Sequence, residues 1–467
     1  MPGSVASPRL RLADQAAAAT GHEAAGELPA AEDPQSYWAG AFRAVRAETE
    51  RRAAFLSAED QVVQSMPDAS PTKWHRAHAS WFFEQFLLRP YAKDYRPFDE
   101  RFAYLYNSYY VSVGPRQARP QRGMITRPSA REVTAYRRHV DDAVVRLIES
   151  ANNLAELAPI IEIGLHHEQQ HQELLLTDIL HAFSLNETHP SYDPQWQWPQ
   201  PAHQSAADGR RGMALSGIHT IGHGGNGFCF DNEQPVHQIL LQPVRVAASL
   251  VTNGEWLEFM ADGGYATPTL WLSDGWTTAQ AQDWQAPGYW RKIDNAWYAM
   301  TLGGVRPIDP SSPVCHVSYY EADAFARWAG KHLPTEAEWE VAAQNDFLAD
   351  AFGIVWQWTR SAYSPYPGYT AAPSGLGEYN GKFMINQMVL RGSSLAVQRA
   401  AACRISGLSV SPGFKTVHDN DCTNRGARRT GHRNFGPIRN GSPRRTFSKA
   451  EAASGQIFLR LGRFGVV

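Results

Sequence analysis

The pattern of apolar and polar positions divides the chain in two. Between about residue 35 and residue 185, apolar residues recur at helical spacing in four stretches. The first runs near Gln35–Leu56. The second opens at "SPTKWHRAH", where Ser70 can cap and Pro71 suits the first helical position. The third opens at "SARE", where Ser129 and Glu132 form a capping-box pattern, and extends to about Ser150. The fourth covers about Leu154 to Leu185. Four helices with a polar motif turned inward predict a helix bundle, a fold that holds metals between facing helices. A long aromatic loop, "DERFAYLYNSYYVSVGPRQARPQRG", separates the second helix from the third, and loops of that length inside a compact domain are often functional.

The pattern then changes. "THPSYDPQWQWPQPAHQSAADGRRG" is rich in Pro, Gln and Trp and reads as a linker. Beyond it short apolar runs alternate with Gly- and Pro-rich turns, and only "YYEADAFARWAGK" and "TEAEWEVAA" read as helices. The expected organisation is therefore a disordered leader at 1–35, a helix bundle at 36–190, a linker at 191–210, a loop-rich mixed α/β domain at 211–395 and a tail at 396–467.

Composition narrows the function classes. The chain has 467 residues, enough for two or three domains with sizeable cores. Its 44 basic residues nearly balance 46 acidic ones, so no nucleic-acid partner is expected. No apolar run reaches the roughly 20 residues of a membrane span. The N-terminal "MPGSVASPRLRLADQ" lacks the apolar centre of a secretory signal. The four cysteines, Cys229, Cys315, Cys403 and Cys422, show no C-x-x-C spacing, which fits a reducing, cytoplasmic setting. The 15 Trp, 18 Tyr and 20 Phe suit an aromatic-lined interior or pocket.

Candidate chemistry concentrates in "HHEQQHQELLLTDILH", residues 166–181, which contains H-E-x-x-H. His167 and His171 are four apart, so on a helix they project from one face and can share a metal. Otherwise they are two histidines on a polar helix face. A zinc protease would add Glu168 as general base and a downstream ligand such as Glu187. That reading wants a second ligand-bearing helix where "SLNETHPSYDP" breaks the chain. His166 and His181 point off the shared face. Another histidine is available in "SPTKWHRAHASWFF", where Trp74, His78 and Phe82 share one helical face and His75 lies off it. Three neutral imidazoles leave open positions on a divalent metal and suit Fe(II) as well as Zn(II).

"SPTKWHRAH", "YNSYYVSVGPR" and "HHEQQHQELLLTDI" together resemble the DinB-like domain of the hercynine oxygenases, the sulfoxide synthases of ergothioneine biosynthesis. "FDNEQPVH", "VTNGEWLEFM", "WLSDGW", "PVCHVSYYEADAFARWAGKHLPTEAEWE" and "YNGKFMINQMVLRG" resemble the sulfatase-modifying-factor domain of the same family. The resemblance implies an N-terminal DinB-like four-helix bundle followed by a formylglycine-generating-enzyme-like, C-type-lectin-like mixed α/β domain. It implies one non-heme Fe(II) held by His78, His167 and His171. The implied reaction uses O2 to join cysteine or γ-glutamylcysteine to the imidazole of hercynine, giving a sulfoxide. By motif position, Gln170 would touch the hercynine imidazole and Arg119 would pair with the sulfur donor's carboxylate. Tyr109 and Tyr110 match a tyrosine pair of members that use free cysteine, where a phenol beside iron can deliver a proton or a hydrogen atom. In formylglycine-generating enzymes the second domain needs a reactive cysteine pair, whereas "VLRGSSLA" offers serines, so here the domain is expected to close the pocket. An ovothiol- or selenoneine-type synthase, the zinc protease and a binding protein that has lost its chemistry are the competing readings.

After "LRG" the sequence departs from that family, whose members continue into an aromatic segment that helps enclose a trimethylammonium group. From Arg391 to Val467 the chain carries 14 basic against 3 acidic residues, a net of +11 that leaves −13 for the remainder. A basic anion-binding tail would explain this. A change of reading frame near Ser393–Arg404 explains the abruptness better, and predicts a Trp-Gln-Phe-containing ending in another frame of the encoding DNA.

Overall fold

The computed structural model describes residues 33–201, 212–224, 227–348, 350–371, 375–378, 380–396 and 408–410. The expectations for the leader before residue 33, for the linker after residue 201 and for the tail beyond 396, apart from 408–410, lie outside these described residues.

Helix α1 spans Pro34–Ala53, with Asp33 accepting from the Ser36 N–H at its start. Helix α2 spans Thr72–Phe83 and continues through a wider π-helical turn, Glu84–Leu88, into the short α3, Arg89–Tyr91. The residue expected to cap α2 does something else. Pro71 occupies the cap position, the Ser70 N–H donates to Asp178 at 2.7 Å, and the Ser70 hydroxyl accepts from Arg122 at 2.9 Å. The aromatic loop contains the one-turn α4, Phe102–Leu105. Helix α5, Ala130–Glu149, starts at Ser129 with both halves of the Ser129–Glu132 capping box formed. Helix α6 runs 31 residues, Leu154–Ser184, with Pro159 inside its second turn, where the helix gives up one backbone hydrogen bond.

One glycine sets the spacing between α2 and α6. A Cβ on Gly164 would lie 2.5 Å from the Phe83 ring, so only glycine lets the two helices approach this closely. That contact falls one turn before His167 and brings the helices' polar residues into range.

Among the described residues, the second part carries small antiparallel sheets. Strand β1, Gly212–Ile221, pairs with β2, His237–Ala247, through a register shift between Leu215 and Gly217. Helices α7, Asn253–Ala261, and α8, Ser273–Ala281, follow. Sequence reading missed both, although Thr252 and Glu255 complete a capping box at the start of α7. Strands β3 (Trp290–Ile293), β4 (Ala296–Thr301) and β5 (Gly304–Pro307) form a meander. Helices α9, Tyr319–Trp328, and α10, Glu336–Gln344, are the two that the pattern predicted. Strands β6 (Trp356–Ala362), β7 (Met388–Gly392) and β8 (Leu408–Val410) close the order, so three residues of the divergent tail pair with β7.

The two parts share one core. Phe42, Trp81, Tyr106 and Tyr136 of the helical part cluster with Phe230, Trp356 and Phe383 of the second. At that boundary Glu173 of α6, 2% exposed, accepts from Trp356 Nε1 at 2.8 Å and from the Ser394 hydroxyl at 2.5 Å. The early linker is strapped down as well: the Tyr192 and Asp193 N–H groups donate to the Leu302 carbonyl, and the Tyr192 hydroxyl donates to Arg52 O.

Candidate metal centre

Each histidine is delivered by helix geometry. On α6, His167 and His171 lie one turn apart on the face turned toward α2, whose His78 projects from the opposite wall. All three are buried, and one ring nitrogen from each lies within 4.8 Å of the others. Their ring centroids are 4.6–4.9 Å apart. A cation would balance the lone pairs that this packing crowds together, and an all-imidazole donor set suits a first-row divalent metal.

Aromatic rings and carbonyls fix the imidazoles. Trp74 stacks on His78 at 4.6 Å, Trp81 stacks on its other side at 5.3 Å, and Phe82 stacks on His167 at 4.5 Å. The α4 segment then locks these rings: Trp74 Nε1 donates to Leu105 O and Trp81 Nε1 to Ala103 O. The next carbonyl, Tyr106 O, lies 2.6 Å from His78 Nδ1. A carbonyl can only accept, so Nδ1 carries the proton and Nε2 keeps its lone pair for a metal. The long aromatic loop thus supports the histidine that the sequence places alone on α2.

Glu168 does not face the histidines. Its carboxylate is fully buried and accepts from Arg46 at 2.8 Å, Arg137 at 2.9 Å and the Thr49 hydroxyl at 2.6 Å. Burial alone would raise its pKa, but the two guanidiniums and Thr49 outweigh that and hold it at about 2. Glu187 is exposed and lies beyond the end of α6. The protease reading therefore loses both its base and its third ligand.

Of the other predicted residues, the tyrosine pair packs beside rings that touch this cluster. Tyr109 and Tyr110 are both buried, with rings 4.5 Å apart and the Tyr109 hydroxyl donating to the Tyr110 hydroxyl at 3.3 Å. Tyr110 is the inner one: its ring lies 5.4 Å from Trp81 and 6.4 Å from Phe82, the rings that touch His78 and His167. Burial pushes its phenol well above the ordinary range, so it stays protonated. Gln170 is buried on α6 beside His171. Arg119 is half-buried at the start of a 3-10 turn, Arg119–Met124, with its carbonyl accepting from Gln64. Three residues on, Arg122 is 2% exposed and lies over the Trp74 ring at 3.5 Å, a cation–π contact that sequence reasoning missed.

Sequence reasoning also missed the way the second part grips the tyrosine loop. Glu378 accepts from the Val111 and Ser112 N–H groups at 3.1 and 2.8 Å. Lys382 donates to Tyr109 O at 2.8 Å, and Phe383 meets the Tyr109 ring edge-on at 5.3 Å. No sequence signal marks this, because the partners are about 270 positions apart. His166 and His181, set aside above, are structural: His166 stacks on Phe228 at 3.9 Å, and His181 Nδ1 meets the Ser65 hydroxyl at 2.6 Å.

No helix among the described residues is long and apolar enough to cross a membrane. Residues 210–348 match the Sulfatase-modifying factor enzyme 1-like domain. The hercynine oxygenase of Mycolicibacterium smegmatis is 29% identical over 390 residues, covering 72% of this chain and 86% of that protein. The hercynine oxygenase of Mycolicibacterium thermoresistibile is 30% identical over 390 residues, covering 71% of this chain and 82% of that protein. The formylglycine-generating enzyme of Streptomyces coelicolor is 35% identical over 132 residues, but covers only 26% of this chain. The matches over 390 residues cover 71–72% of this chain, so they extend beyond the second part into the helical part. The chain belongs to the hercynine oxygenase family.

Proposed function

We propose that the protein is a non-heme Fe(II) enzyme that uses O2 to join the imidazole of hercynine to the sulfur of cysteine, or of γ-glutamylcysteine, and releases a hercynyl sulfoxide. The observation that carries the reading is the buried cluster of His78, His167 and His171 beside stacked tyrosines, in a chain of this family. The helices at 36–190 act as a DinB-like metal-bearing bundle, and the domain at 211–395 walls the pocket. The overall balance is one imidazole C–H and one S–H broken, one C–S and one S=O bond formed, and O2 reduced by four electrons, its second oxygen leaving as water. Bound iron supplies the redox partner for O2 and an anchor for the sulfur.

The protein's own groups do the rest. His78, held by Tyr106 O, presents Nε2, and His167 and His171 complete the donor set. Gln170 orients the hercynine imidazole, and Arg119 pairs with the donor's carboxylate. Tyr110 holds a phenolic proton close to the histidine rings, and Tyr109 can refill it through the hydroxyl contact at 3.3 Å. A timely proton favours coupling over oxidation of the thiol alone. Free cysteine is the favoured donor because members using it carry this tyrosine pair.

Aerobic incubation with Fe(II), hercynine and each donor, read by mass spectrometry, tests the proposal. The expected product is the sulfoxide, formed faster from cysteine. Tyr110→Phe is expected to keep iron and consume O2 while shifting product toward cysteine sulfinate, with a smaller shift for Tyr109→Phe. Stoichiometric iron with no sulfoxide from either donor would remove the assignment. An unchanged product ratio in both single variants and the double variant would remove the tyrosines from it.

A further inference from the structure

The third imidazole, His171, is supported differently from His78. Its Nδ1 lies 2.8 Å from Nδ1 of His75 on α2, and His75 Nε2 lies 3.0 Å from Asp178 Oδ2. Asp178 sits seven residues after His171 on α6, two turns along nearly the same face. The same carboxylate oxygen accepts from the Ser70 N–H at 2.7 Å, so it is held from the start of α2. His75 is 3% exposed and His171 is 6% exposed, which keeps water from competing for these contacts.

Hydrogen-bond polarity sets every proton along this line. A carboxylate only accepts, so His75 carries its proton on Nε2. A neutral imidazole protonated there has a bare Nδ1, which can only accept in turn. His171 must therefore carry its proton on Nδ1, leaving Nε2 bare for a metal. We infer that Asp178 and His75 are positioning residues that fix the tautomer and orientation of His171 from outside the metal site and make it a more electron-rich donor. This rests on the three-histidine cluster as a metal site, not on the reaction proposed above. A carboxylate behind a ligand histidine raises its basicity and locks its ring. Here the carboxylate acts through a second imidazole, which lengthens its reach by one ring. His78 Nδ1 meets a backbone carbonyl instead, so these two ligands are electronically unequal.

The test uses the full chain with Co(II) alone, without substrate or O2. In the Co(II) protein the Nδ1 proton of each ligand histidine gives a paramagnetically shifted NMR signal, and solvent exchange shows whether that proton is pinned. His75→Leu removes the acceptor and is expected to weaken Co(II) binding by roughly 10–100-fold, with the His171 signal lost to exchange and the His78 signal kept. His75→Asn places an amide oxygen where Nδ1 was, and is expected to recover most of the affinity and the signal. Asp178→Asn keeps the shape, so it reports on the carboxylate even if His75→Leu folds poorly. It is expected to weaken Co(II) binding and to shift the visible absorption bands. Wild-type affinity and an unchanged His171 signal in both His75→Leu and Asp178→Asn would overturn the relay. Failure of the wild-type protein to take up Co(II) would overturn the metal site and the relay with it.

Discussion

Replacing Glu168 by Gln separates the two meanings of H-E-x-x-H. In a zinc protease the change keeps the fold and removes the base. Here it removes a fully buried carboxylate that lies between two buried guanidiniums, Arg46 at 2.8 Å and Arg137 at 2.9 Å. Losing one partner of a buried ion pair costs about 3–5 kcal/mol when the other charge is left alone. Neither arginine is left alone, since Arg46 keeps Asp141 at 2.7 Å and Arg137 keeps Glu50 at 2.6 Å. Gln also retains an oxygen for one of them. The expected loss is therefore smaller, about 2–4 kcal/mol. For a domain of this size that corresponds to a fall in melting temperature of roughly 4–16 °C. The assay pairs thermal unfolding by circular dichroism with metal content and turnover per folded molecule. The expected result is a less stable protein that, once folded and loaded with iron, turns over within about threefold of wild type, a rate ratio worth under ~1 kcal/mol. A variant with unchanged melting temperature and bound metal but no turnover would refute the reasoning and return Glu168 to the chemistry.

Three further outcomes follow from the same contacts. Because the Glu168 pKa in the folded state, about 2, lies below the ordinary 4.5, its contribution is complete above pH 4.5 and is lost as pH falls toward 2. Acid titration of stability should show that loss in wild type and a shallower one in Glu168→Gln. Gly164→Ala drives a methyl into Phe83 and is expected to cost about 1–3 kcal/mol and to weaken Co(II) uptake, as read by denaturation and by titration. An undiminished affinity would mean that α2 and α6 can slide without disturbing the histidines. Glu173→Ala strands Trp356 Nε1 and the Ser394 hydroxyl, at about 1–3 kcal/mol each, whereas Glu173→Gln keeps the acceptor and should be nearly neutral in urea unfolding.

Much of this arrangement could be read from local spacing. The Ser129–Glu132 box marks the start of α5, His167 and His171 share a face at a spacing of four, and Trp74, His78 and Phe82 share another. The structure turns those faces toward each other, with Trp74 stacked on His78 and Phe82 on His167. What was not legible depends on register between elements. His75 was expected off the face of His78, yet residues three apart lie only about 60° around a helix, and α2 and α6 cross so that His75 meets His171. Helices α7 and α8 are no shorter than α10, which was legible, but each carries a glycine near its start, Gly254 and Gly275, that weakens the helical signal, and α10 carries none. The hold of Glu378 on the tyrosine loop spans two domains and leaves no local trace.

The motif's ambiguity has a physical origin. A helix that presents two histidines inward four residues apart must carry the residue after the first of them about 100° away around its axis. What that residue meets is decided by the neighbouring helices and not by the motif. In an open cleft a glutamate there could reach a metal-bound water. In this protein it points between α1 and α5, where Arg46 and Arg137 wait for it. The same carboxylate thus tethers α6 to α1 and α5 by charge, while Gly164 lets α6 close on α2 and Glu173 ties it to β6. Those contacts, all within about three turns of one helix, fix α6 on each side, and fixing α6 fixes two of the three histidines. The string H-E-x-x-H therefore supplies two members of the three-histidine cluster here, and its glutamate acts by holding the helix.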